Sequence, residues 1–78
     1  MSNTHPLRHT VAGNVRAELG RVRMSQAAAA GHLKMSQTAL SRRLNGAIAF
    51  NIDELEALAN VLGVPIERLF TPAAVAAA

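Results

Sequence analysis

The chain has no cysteine, no tryptophan and no tyrosine, and only two phenylalanines among its 78 residues. Without cysteine there is no disulfide, no thiolate metal ligand and no cysteine nucleophile, a pattern that fits a reducing compartment. The β-branched residues are scattered rather than alternating, so nothing favours a β architecture. No run of about 18 apolar residues is present to span a membrane, and the opening "MSNTHPLRHTVAGNV" lacks the apolar core of a secretory signal. The expectation is a soluble, unprocessed, cytoplasmic chain. Catalytic signatures are missing as well: there is no G-x-S-x-G stretch and no glycine-rich phosphate loop. Asp53 and Glu54 suit helix capping and the macrodipole better than acid–base chemistry, and no enzyme activity is expected. His5 and His9 stand at metal-binding spacing, but Pro6 lies between them and no third ligand is evident; His32 reads as an exposed helical residue. No metal or other cofactor is expected.

Acidic residues are scarce, five against eight Lys and Arg, and unevenly placed. Residues 1–46 hold seven Lys/Arg against Glu18 alone, a charge of +6, whereas residues 47–78 hold Arg68 against four acids, a charge of −3. Such polarisation suits contact with nucleic acid and equally contact with an acidic protein. Half of the residues are hydrophobic, many of them alanine, which suits one small all-α domain near the size at which self-association often adds stability.

Apolar periodicity and capping chemistry divide the chain. Val11, Val15, Leu19 and Val22 line one face of a helix from about residue 8 to 22. Ser25 can cap a second helix, "QAAAAGHL", and Ser36 a third, "QTALSRRLN", their hydroxyls accepting from first-turn N–H groups. Met35 with Leu40 forms a hydrophobic staple, and Gly46 supplies a left-handed stop. Asn51 with Glu54 makes a capping box, stapled by Phe50 and Leu55, for a fourth helix bearing Ile52, Leu55, Leu58, Ala59 and Leu62. Gly63 ends it, and Pro65 opens a short fifth helix, "PIERLF". Residues 1–7 read as a flexible N-terminal arm, 8–70 as the domain and 71–78 as an Ala-rich tail too short to fold alone. No internal repeat is evident.

The stretch "QAAAAGHLKMSQTALSRRLNG" resembles the helix-turn-helix of the Cro/C1-type family of bacterial and phage transcriptional regulators. The marks that carry the resemblance are Gln26, Ala30, Ser36-Gln37, Leu40, Asn45-Gly46 and the run "LANVLGVP", and it extends over roughly residues 11–70. It implies a five-helix, lambda-repressor-like fold in which Ala30, Leu33, Leu40 and Leu44 lock the second and third helices together. It also implies double-stranded DNA as partner, the third helix lying in the major groove, and a small regulator without a second domain. Two positions depart from the pattern: Lys34 replaces the usual turn glycine, so a left-handed residue there would carry strain, and Arg43 replaces a usually apolar residue.

With Leu40 and Leu44 facing inward, Gln37, Thr38, Ser41 and Arg42 fall on the outer side as candidate base-reading residues. Arg42 can address guanine O6 and N7, and Gln37 adenine N6 and N7. The resemblance assigns phosphate contact to Gln26, Ser36 and Asn45. Arg43 is a further phosphate candidate, packing of its stem against the first helix being the alternative. A single recognition helix reads few base pairs, so a homodimer on a palindromic operator is expected, with Ile66, Leu69, Phe70 and Val75 as candidate contact residues. The competing function is a protein-interaction module, such as the antitoxin of a toxin–antitoxin pair, which would hold a protein partner by its acidic fourth helix or its tail.

Overall fold

In the computed structural model, which describes residues 6–72, helix α1 spans Leu7–Val22, α2 Gln26–Leu33, α3 Gln37–Leu44 and α4 Ile52–Leu62, and a 3-10 turn covers Ile66–Leu69. There is no strand among the described residues, so the all-α reading holds at that level. His5, Val75 and the outer parts of the expected arm and tail lie outside the described residues. Among those that are described, no helix is long and apolar enough to cross a membrane.

Most boundaries follow from local chemistry. The Ser25 hydroxyl accepts from the Ala28 N–H and the Ser36 hydroxyl from the Ala39 N–H, each at 3.0 Å. Asn51 Oδ1 accepts from the Glu54 N–H at 2.7 Å while Glu54 Oε1 accepts from the Asn51 N–H at 3.0 Å, completing the capping box. Gly63 closes α4 in the left-handed region at φ +72°. Two boundaries differ from expectation. Leu7, assigned to the arm, is the first residue of α1, because Pro6 already holds φ at −58° and its carbonyl accepts from the His9 N–H at 3.0 Å. The expected fifth helix is only a 3-10 turn: Arg68 and Phe70 donate to the carbonyls three residues back, and Pro72 disfavours a helical Thr71 and stops propagation.

The core joins Val11, Val15 and Leu19 of α1, Ala29 and Ala30 of α2, Leu40 and Leu44 of α3, Leu55, Leu58, Ala59 and Leu62 of α4, and Leu69 of the 3-10 turn. Leu33 is half-buried against this cluster. Leu69 was expected to meet a second subunit, but it is fully buried within its own chain and offers a partner no surface. Its placement is enforced from α1, where Asn14 Nδ2 donates to the Leu69 and Thr71 carbonyls at 2.9 and 2.7 Å.

A short repetition, invisible to a search for long repeats, sets the angle of both helices of the helix-turn-helix. Arg23-Met24-Ser25-Gln26 and Lys34-Met35-Ser36-Gln37 each place a cation in the left-handed region, at φ 58° and 57°, then a half-buried methionine against the core, then the serine cap. A left-handed residue with a Cβ carries about 1–2 kcal/mol of strain, and glycine relieves it at an entropic cost of roughly 0.5–1 kcal/mol. Lys34→Gly is therefore expected to stabilise the fold by about 0.5–1 kcal/mol in thermal melts, and Lys34→Ala is expected to give no such gain. Equal midpoints for the two variants would show the turn to be unstrained.

Candidate nucleic-acid interface

Helix α3 has an inner seam and an outer face. Leu40 and Leu44, one turn apart, are 0% and 3% exposed, whereas Gln37, Thr38, Ser41 and Arg42 are all exposed, with Ala39 and Arg43 half-buried at the flanks. The outer face thus carries an amide, two hydroxyls and a guanidinium, the groups suited to base edges. Among the described residues, the side-chain hydrogen bonds on and next to α3 are made instead by Ser36, Arg43 and Asn45.

Other elements anchor the last turn of α3. Arg16 of α1 donates to the Leu44 carbonyl, satisfying an orphan acceptor at the helix end. The Arg42 carbonyl accepts from the Ala47 and Ile48 N–H groups at 3.0 and 3.3 Å, and Asn45 Oδ1 accepts from the Ala47 N–H at 3.0 Å. Gly46 is buried at φ +84°, with the His9 imidazole lying against its Cα. The backbone leaving α3 is therefore held from α1, which no reading of residues 36–46 alone reveals.

The candidate phosphate residues differ in what they have left to offer. Gln26 is exposed in the first turn of α2. Ser36 uses its oxygen as an acceptor for the cap and keeps its hydroxyl proton free to donate. Asn45 likewise uses its oxygen and keeps its NH₂ group. Arg43 is more committed: its Nε donates to Glu54 Oε1 at 3.0 Å and its Nη1 to the Ala39 carbonyl at 3.0 Å, with the side chain 19% exposed.

The cations sort in the same way. Arg21 pairs with Glu18 at 2.6 Å and also donates to the Leu62 carbonyl, and Arg68 approaches the same carboxylate at 3.6 Å. Arg8 reaches the Ala47 carbonyl at 3.5 Å. Arg23, Lys34 and Arg42 make no side-chain bond to the described residues; Arg23 and Lys34 are the C-caps of α1 and α2, and Arg42 lies in the last turn of α3. The charge imbalance of the first 46 residues is thus partly consumed by internal carbonyls and carboxylates. Arg23, which stands out in the sequence only as one of the seven cations of residues 1–46, is uncommitted among the described residues; its one local signal is the repetition shared with Lys34.

Among the described residues no group of three or more His, Asp or Glu side chains is arranged to hold a metal ion. Away from α3, an apolar groove of about 390 Å³ is lined by Pro6, Leu7, Val11, Phe50, Ile52 and Phe70, among others. Leu7 and Ile52 at its rim are 57% and 64% exposed, and Ile66 and Phe70 are half-buried. Leu7 and Ile52 escaped the sequence reading as contact candidates, Leu7 because it was assigned to the arm and Ile52 because it fits the apolar stripe of α4; only packing shows that both remain uncovered.

No match to this chain is found among curated proteins. Among solved structures, the crystal structure of the hypothetical transcription factor NHTF from Neisseria is similar, with a TM-score of 0.85 at 22% sequence identity, covering 99% of this chain and 88% of that one. At that identity the likeness speaks for the fold. The family model described as "Helix-turn-helix domain" matches residues 7–70, a span that contains both capped helices, the anchored exit from α3 and the whole of the core. The chain belongs to the helix-turn-helix domain family.

Proposed function

We propose that this chain is a sequence-specific, DNA-binding transcriptional regulator of the Cro/C1 type, a repressor that occupies an operator and blocks polymerase. Family membership supports DNA binding in the regulation of transcription. The observation that carries the finer reading is the division of labour on α3: the seam is buried, the flanking polar groups are engaged, and Gln37, Thr38, Ser41 and Arg42 stand exposed and, among the described residues, uncommitted. In this reading those four face base edges, while Gln26, Ser36 and Asn45 take phosphate through their unused donors. Cytoplasmic location and independence of any cofactor belong to the same proposal.

Selection of bound sites from random duplex DNA tests it, with a palindromic consensus as the expected result. Replacing Gln37 or Arg42 with Ala is then expected to cost about 1–3 kcal/mol on the selected duplex and to relax discrimination at one base pair. Gln26→Ala is expected to weaken selected and random duplexes alike, because phosphate is the same everywhere. Uniform loss in Arg42→Ala, with base preference retained, would make Arg42 a phosphate contact.

Homodimerisation on half-sites about 10 base pairs apart belongs to the same proposal. Its support is the apolar groove ending at Phe70 and the exposed Leu7 and Ile52 beside it, with Ile66 nearby in sequence and Val75 as a further candidate. The alternative, an antitoxin-like interaction module, draws on the exposed Asp53 and Glu56 of α4; co-purification of a basic protein with the chain would favour it.

A further inference from the structure

We propose that Arg43 and Glu54 together form a positioning device for base reading: Arg43 does not hold DNA but fixes the roll of α3 against the cap of α4. The proposal rests on the DNA-binding reading above and assigns Arg43 a role different from the phosphate contact expected from sequence. Arg43 is held at two points, by its own helix through the Ala39 carbonyl and by α4 through Glu54 Oε1, each at 3.0 Å. Both side chains are largely withdrawn from solvent, at 19% and 15% exposure. The acceptor is itself immobilised, since Glu54 Oε1 also accepts from the Asn51 N–H and Asn51 Oδ1 accepts from the Glu54 N–H. Arg43 therefore grips a fixed point of the α4 cap rather than a swinging carboxylate.

The need for such a grip follows from how α3 is otherwise held. Its main packing partners are α1 and α2, and its two buried anchors, Leu40 and Leu44, lie one above the other on a single seam. A seam of that kind resists separation better than rotation about the helix axis. At a side-chain radius of about 5–6 Å, a roll of about 20° moves a reading group by about 2 Å. A functional constellation tolerates only about 0.5 Å or 10–20° of misplacement. Arg43 sits off the seam, next in the chain to Arg42, so its tie to α4 opposes the rotation that would misplace Arg42. A phosphate contact is less well suited to it, because its charge is already offset by Glu54 and its Nε and Nη1 donors are engaged.

The full chain is tested on two duplexes of equal length, one selected from random DNA and one random, using Arg43→Met, Glu54→Gln and the double variant. Glu54→Gln puts an amide oxygen where the capping box uses a carboxylate oxygen, so it removes the charge of the pair with the cap of α4 intact. Arg43→Met is expected to lower the preference for the selected duplex about tenfold, Glu54→Gln to lower it less because its amide oxygen still accepts from Arg43 Nε, and the double variant no further than Arg43→Met, because both act on the same tie. If Arg43→Met weakens both duplexes equally while Glu54→Gln strengthens binding, Arg43 is a phosphate clamp and the proposal falls. If melting temperature drops but the preference of the folded protein is unchanged, the pair is merely structural and the proposal falls. A wild-type chain with no duplex preference overturns the DNA-reading proposal along with this one, whereas a wild-type preference kept by all variants overturns this one alone.

Discussion

Leu40→Ala is expected to lower the thermal midpoint by about 15–25 °C and to abolish selective duplex binding wherever the variant is unfolded. Leu40 is 0% exposed and joins α3 to a core shared with every other element. Truncating a buried leucine costs about 2–5 kcal/mol, the lost transfer energy being compounded by the cavity left behind. A domain of this length has roughly 4–12 kcal/mol of total stability, and in one so small each kcal/mol moves the midpoint by about 4–8 °C. Ile52→Ala is the matched control: Ile52 is 64% exposed, so the isolated chain should shift by about 0.5 kcal/mol or less. Circular dichroism melts of the two variants suffice, and a Leu40→Ala midpoint within about 5 °C of wild type would place the core elsewhere.

Gly46→Ala is the second large effect, with an expected loss of about 2–3 kcal/mol from two separable causes. At φ +84° any Cβ carries left-handed strain, and a Cβ built there overlaps the His9 ring, lying 2.5 Å from Cε1. The imidazole would have to leave its place against the turn that follows α3. His9→Ala combined with Gly46→Ala should recover the steric share and leave about 1–2 kcal/mol of backbone strain. Full recovery in the double variant would mean that strain is negligible at this position, and no loss in Gly46→Ala would mean that His9 moves freely. Because the same turn orients the exit from α3, the proposed preference for a selected duplex, measured on the folded fraction, should fall as well.

Arg43, Leu69 and Lys34 mark how far the sequence could be read. Lys34 was legible as a residue standing in a glycine position, and it does adopt φ 57°. Leu69 was misjudged, because an apolar residue in a short terminal element serves core or interface equally well until the end of the chain is placed. The outward setting of Gln37, Thr38, Ser41 and Arg42 followed from the Leu40–Leu44 seam alone. The commitment of Arg43 did not, since its acceptor lies 11 residues away in the cap of another helix.

The sequence by itself determined most helix boundaries and most of the inward stripes, the start of α1, the 3-10 form of the last element and the exposed Val22 and Ile52 being the exceptions. Those features depend on interactions within about one helical turn: a serine or asparagine accepting from an N–H three residues on, a glycine at a left-handed stop, and apolar residues at helical spacing. Only the tertiary structure decided what the long cationic side chains do. Arg16 reaches a carbonyl 28 residues away and Arg21 one 41 residues away, while Arg23, Lys34 and Arg42 meet no partner among the described residues. An arginine carries its guanidinium on a flexible stem, so its partner is whichever acceptor packing brings within reach, and that proximity exists only once the helices have assembled.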